Sequence, residues 1–326
     1  MHIKTFKQIS KNDVGIAGGK GASLGEMTNE KILVPPGFVV LSAAFDRFLE
    51  ETDLEAEIEA RLEKVNYKDI NSVDRASNEI RDLIHDEKFP KDIGDEILES
   101  FGKLGAGYVA VRSSATAEDS SVASWAGELE TYLNTTKKTL LENVKKCWSS
   151  LFTPRAIFYR FEKGMAKEKV SVAVVIQKMV QSEISGISFT AHPVTRDLSQ
   201  MVIEAGYGLG EAVVSGQITP DTYIIQKAKN SKVGYTIVDI NVAEQSRMLI
   251  RANPRTSRYE AGNGGIEWKP VPKNKQEKQK LTGAQIIKLA EMCQKIEEHY
   301  NHPQDIEWAM EKGKFYITQS RPITTL

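Results

Sequence analysis

The last two predicted strands of the chain carry side chains that suit a hard metal ion. Asp305 and Glu307 stand two residues apart, so the alternation of side chains along a strand predicts that they share one face. Alternation along the second strand likewise predicts one set on a common face: Phe315, Ile317, Gln319 and Arg321. Carboxylate and amide oxygens, completed by water and phosphate oxygens, are the ligands that Mg²⁺ requires. The hairpin is therefore a candidate magnesium site, and the alternative is a solvent-facing acidic hairpin paired to lysines.

The length of the connecting turn decides whether the two polar sets meet. A two-residue turn at 312–313 pairs Glu307 with Thr318 and leaves Gln319 on the wrong face. A three-residue loop at 312–314 pairs Glu307 directly with Gln319. Because only the longer loop builds a site, the residues alone leave both the site and its alternative open.

A lysine inside a glycine-rich segment is a candidate phosphate contact. Lys20 lies in the run Gly18-Gly19-Lys20-Gly21, ahead of a short predicted helix whose first backbone N–H groups favour anions. The run is not a P-loop, because a glycine rather than a serine or threonine follows the lysine. The glycines of 206–210 lack the third glycine of a dinucleotide fingerprint. Phosphate binding and a simple turn are the two interpretations of the first run.

Arg112 is the second candidate phosphate contact. It ends the apolar strand 109–111, where burying a guanidinium is costly unless an anion meets it. Glu118 or Asp119 is the structural candidate for that anion. A ligand phosphate is the functional candidate, since the loop that follows the strand is rich in hydroxyl and backbone N–H groups.

Alternating helical and strand patterns must position these residues, which predicts an α+β (mixed α/β) chain. Helical patterns are predicted at 43–104, at 137–150, at 153–164 and after the capping box of Thr282 and Gln285. Strands are predicted at 171–179, 185–190, 200–205, 221–227 and 234–240, besides those already named. We expect an N-terminal lobe at 1–180 and a C-terminal lobe at 181–326 that together form one unit.

Composition narrows the class of protein. The chain has 326 residues, a net charge of −1 and 40% hydrophobic residues, which is typical of a folded chain of about two domains. No apolar run approaches the ~20 residues that span a bilayer, and no secretory leader is evident, so we expect a cytoplasmic protein without membrane contact. The balanced charge gives no reason to expect a nucleic-acid partner. Cys147 and Cys293 lie on apolar helical stripes and are predicted core thiols.

Together the motifs resemble the ATP-binding domain of the phosphoenolpyruvate synthase and pyruvate phosphate dikinase family, which includes the rifamycin phosphotransferases. The similar segments follow the order of the family: 18–27, 34–38, 111–119, 185–193, 208–211, 305–308 and 319–322. The resemblance implies an ATP-grasp-like fold with the nucleotide held between two lobes. By motif position, Lys20 and Arg112 would contact the polyphosphate, Gln177 would lie near the adenosine, and Thr131 is a further nucleotide contact.

The resemblance also implies a role for each polar residue of the hairpin. Glu307 and Gln319 would hold Mg²⁺, with Asp305 assisting. Arg321 would reach a phosphate. With Lys20 and Arg112 of the first lobe, it would form the catalytic set that the resemblance implies. ATP and Mg²⁺ are thus the expected cofactors.

The implied chemistry is that of an ATP-dependent phosphotransferase (kinase or dikinase). A histidine attacks the β-phosphoryl group of ATP, which gives a pyrophosphorylated histidine and AMP. None of the five histidines lies in the family's histidine motif, so we expect the phosphohistidine swivelling domain and the acceptor-substrate domain to be absent and full turnover by this chain alone to be impossible. A phosphoenolpyruvate synthase-like domain is the main interpretation. The alternatives are the ATP-binding domain of a rifamycin phosphotransferase, to which the run 221–223 is somewhat more similar, that of a pyruvate phosphate dikinase, or a nucleotide-sensing module without transfer.

Overall fold

The computed structural model describes most of the chain. The described residues are 2–116, 129–166, 168, 170–227, 234–252 and 265–324. The chain forms two compact units, unit 1 with Met1–Asn29 and Pro36–Met179, and unit 2 with Glu30–Pro35 and Val180–Leu326. Both units contain helices and strands, so the predicted mixed helix and sheet class is confirmed.

Helices and strands alternate along the described chain. The helices are α1 (Val14–Asn29), α2 (Ser42–Glu51), α3 (Leu54–Leu62), α4 (Ile70–Asp86), α5 (Lys91–Leu104), α6 (Leu140–Ser149), α7 (Pro154–Glu162), α8 (Glu211–Val214) and α9 (Gly283–Tyr300). The strands are β1 (Ile3–Thr5), β2 (Gly37–Val40), β3 (Val109–Ala115), β4 (Thr131–Thr135), β5 (Val172–Lys178), β6 (Ile184–Phe189), β7 (Gln200–Tyr207), β8 (Asp221–Gln226), β9 (Thr236–Asn241), β10 (Arg247–Arg251), β11 (Ile266–Pro270), β12 (Gln304–Glu311) and β13 (Lys314–Pro322). None of the helices described here has both the length and the apolar composition that crossing a bilayer requires.

Unit 1 is built on an antiparallel sheet with the strand order β1-β2-β5-β3-β4. One face of this sheet belongs to the hydrophobic core: Phe38, Val40, Val109, Val111, Val172, Val174 and Ile176. Trp148 of α6 lies within the same core, with ring centroids 5.0 to 5.6 Å from those of Phe45, Phe48 and Phe89. The helices that follow β2 therefore bury one side of the sheet.

The opposite face of this sheet, called the arginine face below, carries Arg112 and Ser114 and packs against α1. Gly18 interrupts α1 with a φ of 68°, and a Cβ atom at this position would collide with Ser114. Only glycine permits both the backbone angle and this close approach. Helical residues thus lie on both sides of Gly18, and the turn predicted at 18–21 is a kink at this one residue between two helical segments of α1.

Unit 2 is built on an antiparallel sheet with the strand order β13-β12-β6-β7-β8-β9. Helix α9 buries its apolar stripe: Ile286, Leu289, Ala290, Cys293 and Ile296. The capping box predicted at its start is confirmed, since the Thr282 N–H donates to Gln285 Oε1 at 2.8 Å and the Gln285 N–H donates to Thr282 Oγ1 at 3.4 Å. Both cysteines are buried as predicted, and burial raises the pKa of each thiol to about 12.

Most predicted elements are present, with shifted ends. Strands β5 to β9 correspond to the five predicted after residue 170, and the helix predicted at 137–150 is α6 followed by the 3-10 turn Ser150–Phe152. The prediction missed the β10–β11 hairpin, whose Leu249 carbonyl accepts a hydrogen bond from the Leu209 N–H at 2.8 Å. The two strands are short and their pairing is distant in sequence, so no local signal marks them.

Candidate functional site

The hairpin of β12 and β13 brings the predicted metal-binding residues Glu307 and Gln319 together, although its turn is shorter than this pairing was expected to need. Its turn has two residues, because Glu311 pairs with Lys314. The register shifts between Glu307 and Trp308, where Thr318 is the extra residue of β13, and Glu307 therefore pairs with Gln319. Of the two turns that the sequence left open, the two-residue turn is the one formed, and the pairing of Glu307 with Gln319 expected from the three-residue loop is nevertheless present. A β-bulge supplies the extra residue instead.

The bulge also changes which residues of β13 share a face. Phe315 and Ile317 pair with Met310 and Trp308 on the side covered by α9, and both are buried. Residues directly opposite each other in a sheet point to the same side. Gln319 and Arg321, which pair with Glu307 and Asp305, therefore lie on the other side, called the acidic face below. The predicted common face for Phe315, Ile317, Gln319 and Arg321 is wrong because alternation does not continue across a bulge.

Arg321 and Asp305 form an ion pair on the acidic face. The Nε and Nη2 atoms of Arg321 donate to Asp305 Oδ2 at 2.8 and 2.7 Å. Burial raises the pKa of Asp305, the Arg321 guanidinium opposes that rise, and the Glu307 carboxylate adds to it. In this structure, the arginine predicted to reach a phosphate thus neutralises the carboxylate predicted to assist the metal.

Sequence reasoning missed one carboxylate of the acidic face. Glu204 on β7 pairs with Ile187 on β6, and Ile187 pairs with Glu307, so all three side chains lie in one row across the sheet. Burial raises the pKa of Glu204, and the nearby Asp305 carboxylate raises it further. The available signal was a single acid within the apolar strand Gln200–Tyr207, since a charge in such a strand needs a reason.

On the arginine face of unit 1, Arg112 meets the residue predicted to lie near the adenosine. The Nη1 atom of Arg112 donates to Gln177 Oε1 at 3.4 Å, and the two residues are only 8% and 3% exposed. Arginine has no acceptor atom, so this contact turns the amide oxygen toward it. The amide Nε2 of Gln177 is buried and donates to no atom in the described part of the chain. The face therefore offers a buried donor for a ligand.

Neighbouring elements place Thr131 opposite Arg112 and the backbone beside Lys20 against β3. Thr131 on β4 is the cross-strand partner of Arg112 and is exposed. Lys20 lies in α1 between Gly18 and Gly21, and the Gly21 N–H donates to Ser114 Oγ at 3.2 Å. One backbone donor that was expected to favour an anion thus already has a partner. Glu118 and Asp119, the carboxylates that were candidates for a partner of Arg112, lie outside the described residues.

The Asp221-Thr222-Tyr223 run has a structural role. Asp221 and Lys280 form an ion pair with no side-chain exposure, in which Lys280 Nζ donates to Asp221 Oδ1 at 2.7 Å. Asp221 also accepts from the Ala243 N–H at 3.0 Å and from the Tyr223 hydroxyl at 2.8 Å. These bonds attach the segment after β9 to β8, and the network stabilises the fold of unit 2.

The acidic face fits a magnesium ion by its donor chemistry. Glu307 and Gln319 stand directly opposite each other and offer carboxylate and amide oxygens, the hard ligands that Mg²⁺ prefers. Gln319 is 6% exposed, so its amide belongs to a shielded site rather than to a freely solvated hairpin. The chemistry of this pair thus matches the predicted metal ligands.

Comparisons with known proteins agree in the type of domain. The family described as "Pyruvate phosphate dikinase, AMP/ATP-binding domain" matches residues 14–326. A probable phosphoenolpyruvate synthase of Methanothermobacter thermautotrophicus is 43% identical over 100% of the chain and 46% of its own length. A rifampicin phosphotransferase of Bacillus subtilis is 37% identical over 98% of the chain and 35% of its own length. The chain therefore spans less than half the length of these relatives.

A solved structure was also found at low similarity. D-alanyl-alanine synthetase A of Vibrio cholerae covers 76% of this chain and 54% of its own, at 13% identity and a TM-score of 0.26. This likeness is too low to carry an argument about the chain.

Proposed function

Because this chain belongs to the family of pyruvate phosphate dikinase AMP/ATP-binding domains, we propose that it binds ATP as a Mg²⁺ complex and presents the β-phosphoryl group to a histidine on another domain. The two compact units act together as one ATP-binding unit. The observation that carries this proposal is the pairing of Glu307 with Gln319 across the β12–β13 hairpin. It supplies a carboxylate and an amide side chain directly opposite each other, which carry the oxygen donors that the Mg²⁺ of a nucleotide complex prefers.

Unit 1 is assigned the nucleotide itself. Arg112 and Lys20 bind the polyphosphate through charge-assisted hydrogen bonds, the strong kind for a phosphate. The buried Nε2 donor of Gln177 binds the adenosine, and Thr131 adds a hydroxyl contact. The contact of Arg112 with Gln177 supports this assignment, since it fixes the orientation of both side chains before a ligand arrives.

Unit 2 is assigned the metal. Glu307 and Gln319 hold Mg²⁺, which when bound neutralises charge on the phosphate oxygens. Asp305 assists from the same face. Arg321 leaves Asp305 when a phosphate offers a stronger hydrogen-bond partner. In the free protein, the ion pair with Asp305 keeps Arg321 beside the proposed metal ligands.

The proposed transfer breaks one bond and forms another. A histidine nitrogen attacks the β-phosphorus, and the bond from that phosphorus to the oxygen bridging the α-phosphate breaks. AMP leaves with that oxygen, and the histidine carries the β- and γ-phosphoryl groups, which lose phosphate in a later step. The chain's lysine and arginines act by holding the phosphates in position and by stabilising the charge that shifts onto the leaving oxygen.

The acceptor is proposed to be that of a phosphoenolpyruvate synthase. The synthase of Methanothermobacter thermautotrophicus is more similar to this chain than the rifampicin phosphotransferase of Bacillus subtilis, at 43% against 37% identity. Both relatives are more than twice as long as the matched part, which supports further domains for the histidine and for the acceptor.

Calorimetric titration of ATP into the purified chain tests the proposal. We expect binding that is strengthened by Mg²⁺ and weakened by Glu307→Gln, and no phosphoenolpyruvate when pyruvate is added. The same variant should keep the melting temperature of the free protein. Absence of ATP binding by the folded chain, or binding that ignores Mg²⁺, would contradict the proposed function.

A further inference from the structure

Glu204 stands out because its charge has no visible compensation. The side chain is half-buried, and it forms no hydrogen bond or ion pair with any residue in the part of the chain that the structure describes. Two other acids of unit 2 with little side-chain exposure are compensated, since Asp305 pairs with Arg321 and Asp221 pairs with Lys280. Partly removing a carboxylate from water without a partner costs free energy, and a cation or a hydrogen-bond donor supplied by a ligand would offset that cost.

The register of the sheet shows where such a ligand would lie. Glu204, Ile187 and Glu307 are consecutive partners on β7, β6 and β12, and Gln319 follows on β13. The acid thus lies in the same row as the proposed metal ligands, on the same face. Asp305 is close enough to influence it electrostatically. Three acids and one arginine then share this region, which favours an added cation.

The spacing favours an indirect contact with that cation. Two strand spacings place the Cα atoms of Glu204 and Glu307 about 10 Å apart. Both carboxylates would have to lean over Ile187 to bind one ion directly. Mg²⁺ loses its water reluctantly and usually keeps several water molecules in proteins. A water on the ion bridges this gap with ordinary hydrogen bonds.

We propose that Glu204 is a positioning residue that accepts hydrogen bonds from water bound to the nucleotide's Mg²⁺. This inference rests on the proposed function, because it adds one residue to the ion held by Glu307 and Gln319. On this shared face, Glu204 holds the hydrated ion from the β7 end of the row, whereas Gln319 holds it from the β13 end. In the free protein, the carboxylate of Glu204 has no partner among the described residues, which lowers stability but leaves the acceptor oriented for the ion.

A titration of the full chain with Mn²⁺ at saturating ATP tests this role. The electron paramagnetic resonance signal of free Mn²⁺ reports how much of the ion is bound. Glu204→Gln should lower the Mn²⁺ affinity about tenfold or more, the usual effect of removing an outer-shell partner. The affinity for ATP in EDTA should stay unchanged. Asp239→Asn is the matched control, because Asp239 lies on the same face at the edge strand β9 and should leave Mn²⁺ binding unchanged.

Each outcome separates this role from its alternatives. A melting temperature of the metal-free Glu204→Gln variant that is unchanged or higher supports positioning, because the substitution removes an uncompensated charge, whereas a lower one indicates a structural role and overturns the inference. Equal losses of ATP affinity with Mn²⁺ and in EDTA would indicate a direct nucleotide contact and also overturn it. If Glu204→Gln binds Mn²⁺ normally while Glu307→Gln does not, this inference fails and the proposed function stands. If Glu307→Gln also binds Mn²⁺ normally, both fail.

Discussion

Glu307 on β12 stands directly opposite Gln319 on β13, although the turn between these strands has only two residues. The register is corrected by the bulge at Thr318, which lies between the turn and the pair. The turn residues Lys312 and Gly313 have φ angles of 52° and 71°, the left-handed pair that suits a two-residue hairpin. One strand therefore packs Phe315 and Ile317 into the core and then presents Gln319 to the acidic face.

The first prediction concerns the metal dependence of ATP binding. Glu307→Gln removes the charged member of the pair and should weaken ATP binding with Mg²⁺ more than without it. Gln319→Ala should act in the same direction but less. Because both side chains serve one ion, a double-mutant cycle measured by calorimetry should give a coupling free energy above ~0.5 kcal/mol.

The control for this cycle is Glu311→Gln. Glu311 lies on the same strand and face as Glu307, beside the turn, and its substitution should leave the Mg²⁺ dependence unchanged. Additive effects of the two site substitutions would mean that the hairpin does not hold the metal ion.

The second prediction concerns Arg112. Arg112→Met keeps an apolar stem of similar length but removes the charge, and should weaken ATP binding by about 1.5 to 3 kcal/mol. Lys20→Ala should weaken binding in the same direction. Arg47→Met is the matched control, because Arg47 of α2 pairs with Glu51 and Asp92 at the surface of unit 1. Calorimetry measures the affinities.

The melting temperature of the free protein distinguishes a ligand contact from a structural one. Arg112 is 8% exposed, so a structural arginine at this position would lower the melting temperature when replaced. We expect the ATP-free variant to melt as the unmodified chain does. A collapse of the ATP-free fold, together with normal ATP binding by Lys20→Ala, would contradict the assignment of both residues to the phosphates.

The limits of sequence reasoning are clear at the hairpin. Alternation correctly placed Asp305 and Glu307 on one face, because β12 is regular between them. It failed for β13, because one bulged threonine reverses the face of every residue after it and no residue type near Thr318 announces a bulge. The register between two strands depends on both strands and on any bulge between them. The pattern of side chains along one strand therefore does not determine which residues pair.

The same reasoning applies to unit 1. The sequence indicated that Arg112 ends a buried strand, and the structure places it within β3, 8% exposed. It did not indicate that Gln177 lies beside this arginine, because that contact depends on the antiparallel pairing of β3 with β5. The turn expected near Gly18 is a kink within α1, since the positive φ is confined to a single residue.

The third prediction concerns the stability of unit 2. Asp221→Asn keeps the shape of the side chain but leaves the ammonium of Lys280 buried without a countercharge, which should lower the free energy of unfolding by about 3 to 5 kcal/mol. Urea denaturation measures the change as a lower midpoint. The exposed pair of Glu99 and Lys103 provides the control, because Glu99→Gln should leave the midpoint unchanged. A midpoint that is equally unchanged in Asp221→Asn would show that the buried pair does not hold this unit together.

The last prediction concerns His85, which is partly buried between α4 and α6. Its Nε2 atom lies 2.9 Å from Ser149 Oγ. Burial lowers the pKa of His85, the nearby cations Arg81, Lys145 and Lys146 lower it further, and Asp82 opposes them. Between the lowered pKa and the ordinary histidine pKa, His85 is therefore protonated in the unfolded chain but neutral in the folded chain. Stability should be full above the ordinary histidine pKa of about 6.5 and fall as the pH drops from there toward the lowered pKa.

Replacing the imidazole should remove this part of the pH dependence. The free energy of unfolding from urea titrations between about pH 7.5 and 5.5 should decline less steeply for His85→Gln than for the unmodified chain. His302→Gln is the control, because His302 is exposed and its imidazole lies against the adjacent Pro303 carbonyl at 2.9 Å, so its decline should match that of the unmodified chain. Acids with lowered pKa values, such as Asp13 and Asp92, act equally in all three proteins and cancel in the comparison. A steeper decline for His85→Gln would reverse the sign of the effect and would mean that the folded protein accepts the proton more readily than the unfolded chain.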